Sequence, residues 1–311
     1  MPRNIHDQIA ANRRTSLFYC FLVIALLAAL GGAVVGYYSP QNWIPGVVLS
    51  AGLGLIVALI AWSSGSKIVL QMNNARDATP HELQVVNNVA EEMAIAAGIP
   101  KPQVYVIDED APNAFATGGS PENGAVCVTT GLLDRLNREE LQGVIAHEIG
   151  HIRNNDVRLM TTLAIVVGLI PMIAHFFTRS MYYGGGRRGR DRDGGAAIFM
   201  VIGLVLAIVA PLCAKLLELA VSRRREFMAD ASAAQFTRNP EALASALEKI
   251  AVQQAGNQSA NKATEHMYIV NPFSPMQKAA SLFSTHPPTE ERVAALRGLA
   301  GMDYHRFLSM K

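Results

Sequence analysis

Half of the 311 residues are hydrophobic, only 17% are charged, and the mean hydropathy is +0.20. That balance is unusual for a soluble enzyme and points to a membrane protein with a soluble portion. A formal net charge of +2 argues against a nucleic-acid partner, and three scattered cysteines (Cys20, Cys127, Cys213) give neither a disulfide framework nor a cysteine-based zinc site.

In chain order, no charged residue occurs from Thr15 to Ser66. Within that stretch Leu17–Tyr38 and Gly46–Ser64 are each long enough to cross a bilayer, which takes about 20 apolar residues. Ser39 to Pro45 makes a tight turn between them, with Tyr37, Tyr38 and Trp43 at the expected interface. The first span is longer than a signal-peptide core and a second follows at once, which favours a membrane hairpin over a cleaved leader. Arg3, Arg13 and Arg14 precede the hairpin, Lys67 and Arg76 follow it, and its turn has no basic residue. The positive-inside rule therefore places both flanks in the cytoplasm.

Pro80–Ala97 reads as an amphipathic helix with Leu83, Val86, Val89, Ala90, Met93 and Ala97 on one face and Gly98 as its stop. Gln103–Ile107, Asn113–Gly119 and Ala125–Thr129 read as extended segments of a small antiparallel sheet, with a turn at Asp108–Pro112. A short helix, Thr130–Leu136, leads to a second helix opened by Asn137 as N-cap with Glu140 at N3. This helix carries His147-Glu148-Ile149-Gly150-His151, an H-E-x-x-H pattern. Residues four apart share a helix face, so His147 and His151 can aim two imidazoles at one point. Glu148 then lies where it can take a proton from a water polarised by a metal. The alternative is a surface helix with two unrelated histidines; Leu141, Val144 and Ile145 at helical spacing put the pattern inside a packed helix instead. Gly150, between the histidines, would let another element approach closely.

Two further apolar stretches follow, Leu159–Thr178 and Ala196–Ala214, joined by the Gly- and Arg-rich Arg179–Gly195. Their lengths favour two spans; that arrangement puts the basic loop outside, against the charge rule, whereas a re-entrant pair keeps it inside. Either returns the chain to its starting side. Helices are expected at Leu216–Phe236, at Glu241–Gln254 after Asn239-Pro240, and at Thr289–Leu299. His175 reads as a buried or interfacial histidine, His6, His81, His266 and His305 as surface residues, and Met267–Met276 as a packing or flexible element.

A catalytic zinc needs a third protein ligand and an open position. Asn154 and Val157 stand where a metzincin would have glycine and histidine, which excludes that class. Glu226 and Asp230 lie one helical turn apart, so Glu226 could ligate while Asp230 accepts the outer N–H of a ligand histidine. They could equally form a charged face, with Arg223, Arg224 and Arg225 marking the cytoplasmic end of a membrane segment. Spacing alone does not choose.

Taken in order, His147-Glu148-x-x-His151, Glu226-x-x-x-Asp230 after a hydrophobic hairpin, and Ser284-Thr285-His286-Pro287-Pro288 resemble the HtpX type of membrane zinc metalloprotease. The broader group includes the prenyl-protein CaaX endopeptidases. The resemblance covers nearly the whole chain, including Asn113-Ala114-Phe115-Ala116; the Arg179–Gly195 insert departs from it. It implies that His147, His151 and Glu226 bind one zinc ion, that Glu148 is the general base and that Asp230 orients a ligand histidine. His286 would help stabilise the oxyanion, its other reading being a helix-entry residue before Pro287-Pro288. Asn113, Ala114 and Phe115, with Val126 and Val128, would line a cleft where an extended substrate adds as a strand.

The expected fold is a mostly α integral membrane protein: four hydrophobic segments plus a cytoplasmic α+β zincin-like metalloprotease domain with a small antiparallel sheet. Residues 1–66 would form the arm and membrane hairpin, 67–158 and 159–214 the first protease half and the second hydrophobic hairpin, and 215–311 the second protease half. The implied partners are the lipid bilayer and polypeptide substrates, chiefly membrane and misfolded proteins, cut at the cytoplasmic face of the inner membrane in quality control and stress response. A specific processing protease is the nearest alternative. A zinc-stabilised scaffold or chaperone that does not cut is another, and Glu148 counts against it, since a structural zinc site has no use for a base.

Overall fold

The computed structural model describes residues 5–162, 164–165, 175, 179, 198, 200–205, 223, 225–253, 262–272 and 286–300. It begins with a helical hairpin, α1 (Ile5–Tyr38) and α2 (Trp43–Met72), turned at Pro40–Asn42. The helices meet through glycines: a Cβ on Gly31 would fall 1.7 Å from Ser50 Oγ, and one on Gly46 would fall 2.6 Å from the Gly31 carbonyl. Such contacts need small residues. Both helices outrun the apolar stretches read from the sequence. At 1.5 Å per residue α2 is about 45 Å long against a hydrocarbon layer of about 30 Å. Its last turns carry Val69 and Leu70 into a buried cluster with Phe115, Cys127 and Met160. Further up, Leu49, Leu53, Ile56 and Leu59 are exposed. Among the described residues, Pro40–Met72 is the one helical stretch long and apolar enough to cross a membrane. The expected spans Leu159–Thr178 and Ala196–Ala214 and the loop Arg179–Gly195 lie mostly outside the described residues; His175 is exposed.

Past α2 comes a four-stranded sheet of β1 (Arg76–Asp77), β2 (Gln103–Ile107), β3 (Ala114–Thr117) and β4 (Ala125–Thr129), in the order β1-β2-β4-β3. β3 and β4 are antiparallel with Phe115 opposite Cys127, whereas β2 and β4 are parallel with Val104 opposite Val126. The sheet is thus mixed, which corrects the antiparallel expectation. The cause is the link 108–113, which crosses the end of β4 instead of turning back beside β2. Thr129 pins that link: its N–H donates to Asn113 O at 3.0 Å, and its hydroxyl accepts from Asn113 N at 2.9 Å.

α3 (Pro80–Ala97) has a capping box between Thr79 and Glu82 and ends at Gly98, left-handed at φ 69°. Its buried stripe runs Val86, Val89, Ala90, Met93, Ala94 and Ala97; Leu83, one turn earlier, is 41% exposed and not part of the packed face. After α4 (Thr130–Arg135), α5 (Arg138–Arg153) starts with a capping box between Asn137 and Glu140. Glu140 also accepts from Ser245 Oγ and Lys249 Nζ, each at 2.7 Å, on α6 (Pro240–Gln253). α5 is the central strut, with α3 and the sheet on one side and α6 and residues 225–237 on the other. Glycines set these approaches. A Cβ on Gly143 would lie 2.9 Å from Leu243 backbone atoms, and one on Gly150 would lie 3.2 Å from Ser232 Cβ. α7 (Thr289–Ala300) completes the described elements. His266 is buried, with Nε2 3.1 Å from Met160 O, because residues 262–272 fold over the sheet edge; the surface reading is corrected there.

Candidate metal centre and active site

α5 presents His147 and His151 on one face, with their Nε2 atoms 3.2 Å apart. The helical residues 225–237 bring Glu226 to the same point: Oε1 is 3.4 Å from His151 Nε2 and Oε2 is 3.8 Å from His147 Nε2. All three side chains are buried. Three ligands at about 2.0–2.2 Å from a tetrahedral zinc stand roughly 3.3–3.6 Å from one another. The observed spacing fits that triangle, and the two-imidazole, one-carboxylate donor set suits zinc.

The outer nitrogens are held as well. His147 Nδ1 lies 2.9 Å from Asp230 Oδ1, which leaves its Nε2 lone pair facing the centre. His151 Nδ1 lies 3.2 Å from Asp156 Oδ2, a partner that the sequence reading missed. Asp156 follows Asn155, whose φ of 57° turns the chain back after α5, and no helical spacing connects it to His151. Arg292 was missed too. It is fully buried, donates from Nε and Nη2 to Asp230 at 2.9 and 2.7 Å, and places Nη1 3.2 Å from Glu226 Oε2. A charge beside Val293 and Leu296 on the inner face of α7 was its readable sign. His286 reaches the centre, with Nδ1 3.3 Å from Glu226 Oε2.

Two buried carboxyls are set in opposite directions. Burial pushes the Glu148 carboxyl up to about 8, with the His151 and Arg292 charges and the Ala116 backbone N–H opposing and the Glu226 charge adding. Burial acts upward on Glu226 too, but the charges of His286 and Arg292 hold it well below the usual carboxylate range. Burial works against the His151 cation, yet the hydrogen bonds to Asp156 and Glu226 raise it to about 10; burial lowers His147. Of the expected cleft residues, Asn113, Ala114 and Phe115 lie on or beside β3, the sheet's last strand. Val126 and Val128 do not line an open edge: β4 is paired on both sides and both side chains are in the core, which corrects that reading.

This arrangement meets an independent comparison. The model of Peptidase family M48 matches residues 80–300, from the start of α3 to the end of α7. The chain belongs to peptidase family M48. It is 46% identical over 300 residues to the "Protease HtpX homolog" of Caldanaerobacter subterraneus subsp. tengcongensis, covering 96% of this chain and 98% of that one. The homolog of that name from Streptococcus uberis is 43% identical over 296 residues, with 94% and 99% covered. The crystal structure of S. mikatae Ste24p aligns over 93% of this chain and 66% of its own, at 18% identity and a TM-score of 0.49. As a member of M48 the chain is a metalloprotease, and His147, His151 and Glu226 form its candidate metal site.

Proposed function

We propose that this M48 protease is a zinc endopeptidase of the membrane that cuts membrane and misfolded polypeptides at the cytoplasmic face, in protein quality control. The observation that carries the chemistry is the buried His147–His151–Glu226 triangle with the buried Glu148 carboxyl beside it. His147, His151 and Glu226 would hold a zinc ion, which would supply a Lewis acid and lower the pKa of water toward about 7. Glu148 takes the proton of the attacking water and returns it to the leaving amine, a role suited to a carboxyl poised near neutrality. His286 faces the same point and can donate to the developing oxyanion. Asp230, Asp156 and Arg292 keep the ligand tautomers and the Glu226 charge in place. Substrate backbone adds along β3, since β4 is closed on both sides.

The membrane reading rests on the apolar exterior of α2, and the cytoplasmic one on basic residues flanking the hairpin. The deciding experiment compares wild type with Glu148→Gln, in detergent with zinc, on a membrane-protein mixture whose cut sites are sequenced. Cuts present in the first and absent in the second, with metal content equal, are expected. Undiminished cutting by the variant would overturn the mechanism. Client binding with no Glu148-dependent product would make the chain a scaffold.

A further inference from the structure

The edge of β3 that faces the centre is already in use. Tyr268 pairs with Phe115 in an antiparallel bridge, and the Ile269 N–H donates to the Ala114 carbonyl at 2.9 Å. Asn113 Nδ2 donates to Val270 O at 2.8 Å, and Arg292 Nη1 donates to Ile269 O at 2.7 Å. A strand-edge carbonyl, a side-chain amide and a guanidinium are the groups that would grip the backbone of an extended peptide, and here they grip the chain itself. The opposite edge of β3 is paired with β4, so an incoming strand has only this one.

The same segment is fastened at its other end. Thr264 Oγ1 and Tyr268 Oη both donate to Asn73 Oδ1, at 2.8 and 3.1 Å. Asn73 is the residue that caps α2, and its own Nδ2 donates to Val69 O at 2.8 Å, which fixes the amide's orientation. Met267 and Tyr268 close the cluster that also holds Val69 and Leu70 of α2.

We propose that Tyr268–Val270 is a built-in occupant of the substrate-strand position on β3, latched to the end of α2 through Asn73, so that peptide enters only when this strap lifts. The inference rests on the protease reading, in which β3 receives substrate. It also names the substrate class. The occupant is a short apolar segment with Tyr268 and Ile269 buried, so an unfolded apolar segment competes for the place best. A movement of α2 would loosen the strap from the side of the membrane.

Tyr268→Phe and Thr264→Val each remove one hydroxyl from Asn73 and leave β3, Glu148 and the ligands untouched. The measurements, on the full chain in detergent, are deuterium exchange of the 262–270 amides without metal and kcat/KM for β-casein with zinc. Each lost hydrogen bond is expected to raise the open fraction roughly five- to tenfold. Exchange and kcat/KM should rise together, the latter mainly through KM, with Tyr268→Phe as the second variant if Thr264→Val folds poorly. Unchanged exchange would overturn the latch. Faster exchange with unchanged or slower cleavage would overturn the strap while leaving the protease reading intact. No zinc-dependent cleavage by any of the proteins would remove the protease reading, and the strap with it.

Discussion

Glu148 and Glu226 sit in one buried centre, yet burial outweighs the neighbouring charges at Glu148, while His286 and Arg292 outweigh burial at Glu226. In the metal-free protein this has a measurable sign. Glu148 titrates near 4.5 in an unfolded chain and at about 8 in the fold, so the folded state binds the extra proton between those values. Its contribution is therefore present at low pH and lost as pH rises through that window. With chelator present, Glu148→Gln should be more stable than wild type at pH 8 and above, by an amount on the order of a few kcal/mol, and equal to it near pH 4. Denaturation midpoints across pH check this; a pH-independent difference would contradict it. With zinc, the same variant should lose about 10²–10⁴-fold in kcat at unchanged metal content. Asp156→Asn should weaken zinc binding roughly 10- to 100-fold, read by competition with a chelating dye. At this scale the sequence revealed what helical periodicity encodes, the pair His147 and His151 with Glu148 between them. Asp156 stayed hidden because its return to His151 runs through a left-handed residue, Asn155, which no spacing rule anticipates.

The centre is only as rigid as α5, and α5 is held by its neighbours' backbones. Gly143 is the tighter of its two internal glycines: an added Cβ would stand 2.9 Å from Leu243 N and Cα, and helix backbone in the first turn of α6 cannot step aside as a side chain can. Gly143→Ala should therefore destabilise, because overpacking costs about 1–3 kcal/mol and exceeds the roughly 1 kcal/mol that alanine gains in helix propensity. At Gly150 the nearest atom is Ser232 Cβ at 3.2 Å, so the two terms nearly cancel. Thermal melts in detergent should rank Gly143→Ala clearly below Gly150→Ala; the reverse order would show that α6 yields. The bounds of α3 and the start of α5 were readable because caps and apolar stripes announce them. The mixed sheet was not, since a buried strand shows the same composition whether its neighbour is parallel or antiparallel. What decides is the 108–113 link, held across β4 by Thr129.

For the whole molecule, the exterior of α2 sets the frame. Leu49, at 73% exposure, stands with Leu53, Ile56 and Leu59 on a face too apolar to meet water, and a bilayer is the surrounding that such a face requires. The lower part of α2 is tied to the protease portion: Arg158 lies over the Trp62 ring at 4.5 Å and donates to Gly119 O, while Gly65 lets Thr161 approach. Composition revealed the apolar stretch of α2 because an apolar exterior dictates apolar residues; it hid how far α2 continues, because its last turns pack against protein instead. These ties hold the protease portion beside the Lys67 end of α2. The positive-inside rule predicts that this side is the cytoplasm, with Asn42 on the far side. In a chain with Cys20, Cys127 and Cys213 replaced, Asn42→Cys should react with an impermeant maleimide in right-side-out vesicles. Lys101→Cys, on an exposed turn beside the sheet, should react only after the vesicles are opened. The opposite pattern would place Glu148 outside the cell and overturn the cytoplasmic reading, while labelling of both in sealed vesicles would mean that α1 and α2 do not form a spanning hairpin.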